Sequence, residues 1–228
     1  MSTDDTGNIA RKNYLFDAHA IENHVPIVEV EKFSCLRKLF GVTEQVFNFC
    51  NRLLKSVSRE LRVTRLSNNN AAAVENYWLL STQIRHFNKE MLALHFNSVV
   101  CKKSRIYSLK PQLNDLGILE MHGRVDRKYD LSRNANPYIL PKGKNSHFTT
   151  LLILHQHVIC MHAGLGTLMF KLRGMYWILA QKQSIERALK ICAKCAIFRA
   201  KFQSQSMANL PSLRFENTHQ LFQYASLD

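Results

Sequence analysis

Residues that interrupt regular structure are scarce in this chain: 228 residues carry only 8 Gly and 5 Pro. That excludes a collagen-like or Pro/Gly-rich disordered chain, and the long uninterrupted stretches favour helix. Carboxylates are scarce too, with 17 Asp and Glu against 31 Lys and Arg, a net charge of +14. The deficit is sharpest late in the chain, where residues 141–228 hold 11 basic and 3 acidic residues. Such a balance favours polyanions, nucleic acid above all, over a purely solubilising surface. No apolar segment follows the polar opening Met1–Gly7, so no secretory signal is expected. The most apolar stretch, Phe148 to Phe170, is interrupted by His155, His157 and His162, which makes it a poor membrane span. The expected setting is intracellular and reducing, where the 6 Cys are thiols or ligands rather than disulfides. No internal repeat is present.

A core is nonetheless affordable, because 46% of residues are hydrophobic. Residues 1–32 are weakly patterned and read as a flexible lead-in. From Glu44 to Leu61, Val46, Phe47, Cys50, Leu53, Leu54, Val57 and Leu61 recur at helical steps. The run Ser67-Asn68-Asn69-Asn70 breaks that helix and caps a second, over Ala71 to Phe96, with Val74, Tyr77, Trp78, Ser81, Ile84, Met91 and Leu92 as its buried stripe. Cys35, Cys50, Cys101 and Cys160 sit among apolar neighbours and read as core residues. Short extended pieces bounded by Gly and Pro follow at Gly117–Met121 and Pro137–Pro141, and Gly143–Ser146 reads as a loop opening a helix. Three more helical stretches are expected at Phe148–Met161, Thr167–Met175 and Gln183–Ile191. The expected fold class is therefore mainly α with a small β element, a small helical zinc-stabilised module following an α-rich upstream region. The organisation reads as a lead-in at 1–32, an α-rich region with short strands at 33–145, a zinc-binding module at 146–203 and a linker at 204–228.

Two pairs of residues carry the chemistry. Four residues separate His157 from His162, two separate Cys192 from Cys195, and 29 lie between the pairs. Zinc takes four nitrogen or sulfur donors in a tetrahedron. A Cys-x-x-Cys step brings two sulfurs to one ion, and two imidazoles converge where a helix ends and the chain bends. Ala163-Gly164 is the expected bend. Four protein donors leave no open position, which points to one structural zinc rather than a catalytic one. His155 competes for the role, but two residues along a helix turn it about 200° away from His157, which leaves it a surface or supporting position. A redox pair at Cys192 and Cys195 is the other reading. It fits poorly, because thioredoxin-like pairs open a helix and here Cys192 closes one.

These residues also carry a resemblance. His147–Ile153, Gln156-His157, His162-Ala163-Gly164, Leu172-Arg173, Tyr176–Leu179, Cys192-Ala193-Lys194-Cys195 and Arg199-Ala200 resemble the integrase zinc-binding domain of Pao/BEL-type retrotransposon polyproteins. Met207–Arg214 looks like the linker that follows it. Upstream, Leu113–Leu119, Gly123-Arg124-Val125 and Ile139–Lys142 are similar to the segment preceding integrase, although His122-Gly123-Arg124 stands where the family usually has Gly-Gly-Arg and Asn136-Pro137 where it has His-Pro. Tyr224–Asp228 looks like the first strand of a catalytic core, reaching only its first carboxylate. The resemblance implies DNA integration as the family's process and nuclear work for an integrase part. Two-metal phosphoryl transfer needs several carboxylates, so this chain is expected to have no enzymatic activity alone.

The expected role is a DNA-binding and assembly module, with a zinc-dependent protein-interaction module as the alternative. Non-specific DNA contact is assigned to Lys171, Arg173, Lys182, Arg187, Lys190, Lys194, Arg199 and Lys201, opposed in that span only by Glu186. Self-association is compatible with this reading. A membrane and a small-molecule substrate are not expected as partners.

Overall fold

The computed structural model describes residues 24–57, 70–122, 136–201, 204 and 206–209. The expected break at Ser67–Asn69, the Gly123-Arg124-Val125 segment and the stretch 210–228 lie outside the described residues, as does most of the expected lead-in.

The chain is mainly helical with a small sheet. Helix α1 spans Leu36–Val57 and α2 spans Asn70–His95. Strands β1 (Pro111–Leu113), β2 (Leu119–Met121) and β3 (Tyr138–Leu140) follow, then α3 (His147–Ile159) and α4 (Leu165–Arg173). Strand β4 (Tyr176–Ile178), α5 (Gln181–Ile191) and α6 (Ala193–Arg199) complete the order.

Helix α1 starts eight residues before the expected Glu44, and its buried face shares Phe47 with the expected one but departs from it at Cys50 and Leu53. Leu36, Leu39, Thr43 and Phe47 face the core, whereas Cys50 and Leu53 are exposed. Cys35 and Cys101 are exposed as well and Cys160 is half-buried, so none of these four thiols is a fully buried core residue. Apolar neighbours in sequence do not bury a cysteine that sits on the outward side of its helix or in a loop. Helix α2 follows its expected stripe: Val74, Trp78, Ser81, Ile84 and Met91 are buried. Trp78 stacks on Phe148 of α3 with ring centroids 6.3 Å apart. Its indole N–H donates to Thr43 Oγ1 at 3.0 Å, which satisfies the one polar atom of a fully buried side chain. At Phe87 the helix leaves α geometry, with φ −132° and ψ 29°.

The sheet order is β1-β2-β3-β4. β1 and β2 form an antiparallel hairpin, whose loop is closed by Gly117 at φ 78° and by Asn114 Oδ1, which accepts from the N–H groups of Leu116 and Ile118. β2 meets β3 antiparallel at Glu120 and Tyr138, and β3 pairs with β4 in parallel. A parallel pair needs a long crossover, and here α3 and α4 provide it. The sheet and the buried core therefore run continuously across residue 145, from Val30 and α1 to Leu189 of α5. Tyr176 of β4 donates its hydroxyl to Glu75 of α2, and burial, followed by the Glu75 charge, holds that phenol protonated. The described part of the expected lead-in, 24–32, lies against α2: Ile27 N–H donates to the Tyr77 hydroxyl at 2.8 Å, and His24 Nε2 hydrogen-bonds Ser81 Oγ at 2.8 Å.

Candidate metal centre

Helix α3 begins where the sequence places it. Ser146 is its N-cap, with Oγ accepting from Thr149 N–H at 3.3 Å. Its buried face runs through Phe148, Leu151, Leu152 and Ile153 and ends, one turn after Ile153, on His157. A histidine that extends an apolar stripe is forced under cover, and His157 is 1% exposed. The chain then reverses through Met161 and His162, which take left-handed conformations at φ 52° and 60°. The bend thus falls just before the expected Ala163-Gly164; Gly164, at φ −69°, caps α4 instead. Two non-glycine residues in this region cost on the order of 1–2 kcal/mol each. His162 N–H donates to the His157 carbonyl at 2.9 Å, which fixes the turn and swings the second imidazole back toward the first.

The sulfurs arrive from the other end of the module. Cys192 sits between α5 and α6 with φ −70° and ψ 110°, so the chain breaks at Cys192 and restarts as a short helix. That second helix was not evident in the sequence. It turns Cys195 inward, where it is buried, and leaves Cys192 half-buried beside it.

The four donors converge. His157 Nε2 is 3.1 Å from His162 Nδ1 and 3.1 Å from Cys195 Sγ. His162 Nδ1 is 3.3 Å from Cys192 Sγ and 3.7 Å from Cys195 Sγ. All four donor atoms lie within 4.8 Å of one another. A tetrahedral zinc with bonds of about 2.0 Å to nitrogen and about 2.3 Å to sulfur sets such edges at about 3.3–3.8 Å. His157 Nδ1 is buried with no hydrogen-bond partner among the described residues, so the polar contacts of that ring are made at Nε2, where the other donors gather. Burial, then the neighbouring His162 and Arg199, lower the His157 pKa against an opposing contribution from the Ala163 backbone. The neutral imidazole is the form that ligates. Burial, then Cys192, raise the Cys195 thiol, with Arg199 opposing.

The arrangement can hold one metal ion. His155 is half-buried and lies outside the cluster, as its angular offset from His157 requires. All eight expected DNA-contacting cations are exposed. On α5, Lys182, Lys190 and Arg187 share an arc of about 140°, opposite the buried Ser184, Ile185, Ala188 and Leu189. Arg173 lies beside the start of α5, donating from Nε to Gln181 Oε1 at 3.1 Å. Arg199 has a second setting the sequence did not suggest, since its charge acts on both Cys195 and His157. No helix among the described residues is long and apolar enough to cross a membrane. No family model, curated protein or solved structure matches the chain.

Proposed function

We propose that this chain is a zinc-binding, DNA-contacting assembly module of the retroelement integrase type. The observation that carries the reading is the convergence of His157, His162, Cys192 and Cys195, in that chain order, on one tetrahedron-sized site. Zinc suits two imidazoles and two thiolates better than magnesium or calcium, which take oxygen donors. Bound there, it cross-links the end of α3 to the joint between α5 and α6. The exposed arc of Lys182, Arg187 and Lys190 is the surface we assign to the phosphate backbone, without sequence preference. A nuclear site of action and a part in DNA integration follow from the same reading.

Metal analysis of the purified chain, followed by titration of a labelled duplex with the zinc-loaded protein at several salt concentrations, tests both halves. One zinc per chain with salt-dependent binding supports the reading. A chain that takes no zinc, or binds DNA equally at all salt concentrations, refutes it.

A second reading, a zinc-dependent protein-interaction module, is favoured by a different observation. Large apolar side chains stand exposed on the same module: Met161, Phe170, Ile197 and Phe198, the last at 90%. Zinc without any duplex binding selects this reading over the first.

A further inference from the structure

Two cavities meet where α2 leaves helical geometry. The larger, about 840 Å³, lies beneath residues 24–32. The smaller, about 300 Å³, lies between α2, residues 103–105 and the turn at 141–145. His86 and Asn145 line both. The cations of the larger cavity are already neutralised, Lys32 by Glu29 at 3.2 Å and Arg85 by Glu31 at 3.1 Å.

The smaller cavity is different. Lys103, Arg105 and Lys142 line it, and Glu90 is the one carboxylate among its lining residues. That carboxylate is engaged, accepting from Ser104 Oγ at 2.6 Å. None of the three cations has an ion-pair partner among the described residues. Their backbones are held in place. Ser104 N–H donates to the Cys101 carbonyl at 2.9 Å and Ser104 Oγ accepts from Ile106 N–H, which fixes the turn carrying Lys103 and Arg105. The Lys142 carbonyl accepts from Asn145 and Ser146 N–H at 3.0 and 3.2 Å. That turn leads directly into α3, whose first turn holds no acidic residue to offset the positive end of its dipole.

Three unpaired cations around one concavity repel each other, and an anion there removes the repulsion. The geometry points to a phosphate-binding site in this smaller cavity, taking a phosphate monoester or diester. Arg105 supplies paired N–H donors, Lys103 and Lys142 supply charge, and His86 and Asn145 supply further hydrogen-bonding groups. The volume is at the lower end for ligand pockets, which suits a phosphoryl group with an attached sugar rather than a large planar cofactor. The site is separate from the His/Cys cluster and from the basic face of α5, and it rests on neither.

The probe is inorganic phosphate, titrated into the full chain at constant ionic strength while the His86 ring is followed by NMR and assigned with His86→Gln. A saturable shift is expected, weakened at least tenfold by the double variant Arg105→Ala with Lys142→Ala. Lys103→Ala, an exposed change in a loop, gives the same test if the double variant does not fold. A shift that never saturates, or affinity unchanged in the folded variants, overturns the site. A short oligodeoxynucleotide is then added in competition. Displacement of phosphate identifies a nucleic-acid backbone as the natural source, and retention of phosphate identifies a small phosphate ester; either outcome upholds the phosphate chemistry.

Discussion

The side-chain amide of Gln83 pairs with the backbone of Leu119 as a neighbouring strand would: Oε1 accepts from Leu119 N–H at 2.8 Å and Nε2 donates to the Leu119 carbonyl at 2.9 Å. Nε2 also reaches the Ile139 carbonyl at 2.8 Å, so one residue of α2 stitches β2 to β3 where the strands themselves pair only at Glu120 and Tyr138. Gln83 is fully buried. Its replacement leaves the Leu119 N–H and the Ile139 carbonyl without the Gln83 partner in a dry interior, at about 1–3 kcal/mol for each group left unpaired. Gln83→Leu is therefore expected to lower stability by about 2–5 kcal/mol in urea unfolding, since such losses are not additive. Gln83→Glu should be no better, because a carboxylate cannot donate to two carbonyls. A loss below about 1 kcal/mol in either variant would show that the sheet does not depend on this bridge.

The metal site gives a sharper contrast between neighbouring residues. Cys192→Ala and Cys195→Ala are each expected to abolish stoichiometric zinc, measured by metal analysis after gel filtration, whereas His155→Ala retains it. His157→Ala should also lose stability in the metal-free state, because it removes a buried side chain from the end of the α3 stripe. Full zinc in either cysteine variant would mean that the ligands are wrongly assigned.

Much of this was legible in the sequence. The α2 stripe was visible because Trp78 and its helical neighbours repeat over many turns, and the cluster of four possible metal donors was visible because their spacings are short and chemically restrictive. Strands β2 and β3 were marked by flanking Gly and Pro, whereas β1 and β4 were not picked out. What stayed hidden depends on distant partners. The true face of α1 follows Leu36 and Leu39, which precede the periodic stretch read from the sequence, and the apparent stripe through Cys50 and Leu53 faces outward. Gln83 reads as a polar surface residue until β2 and β3 are brought against it. The pairing of β3 with β4 joins residues on either side of two helices, and no local pattern encodes that. Helix α6 is only seven residues long, too short for a periodic signal, yet it is what turns Cys195 inward.

Because the core runs across residue 145, removal of metal should not unfold the whole module. The start of α3 is held by Trp78 and Phe148 stacking and by Thr150 Oγ1, which donates to the Gly143 carbonyl at 2.8 Å. Chelation is expected to release amide protection at 157–165 and 192–200, around the left-handed turn and α6, while α2 and the first turns of α3 keep theirs. Hydrogen exchange followed by mass spectrometry reads this directly. Equal loss of protection across 70–95 would show that the metal supports the entire fold.

The metal-free chain should also weaken in mild acid. Burial lowers the pKa of His24, and burial followed by Arg85 lowers that of His86. The folded state therefore takes up protons less readily than the unfolded chain. Stability is full above the unfolded histidine value of about 6.5 and is lost as pH falls below it toward the depressed folded values. Unfolding midpoints measured between pH 7 and pH 5, a window fixed by about 6.5 as the ordinary value, should fall in the parent and fall less in His24→Gln with His86→Gln. Identical slopes in the two proteins would exclude these histidines as the cause.

The basic arc of α5 makes a prediction about salt. Lys182, Arg187 and Lys190 are exposed on one side of a helix whose opposite side is buried in the core, so charge reversal there should leave folding intact. Contact with duplex phosphates releases condensed counterions, and the logarithm of the binding constant falls with the logarithm of salt by about 0.9 for each phosphate neutralised. The triple variant Lys182→Glu, Arg187→Glu, Lys190→Glu is expected to bind a labelled duplex more weakly and with a shallower slope, by about 0.9 per contact removed. It should weaken binding to unrelated duplexes alike, since phosphate contacts carry no base information. The variant must keep its zinc and its circular dichroism spectrum, which separates lost contact from lost structure. If it binds with the parent's affinity and slope, α5 does not face the DNA, and the module's exposed Phe170, Ile197 and Phe198 become the surface to pursue.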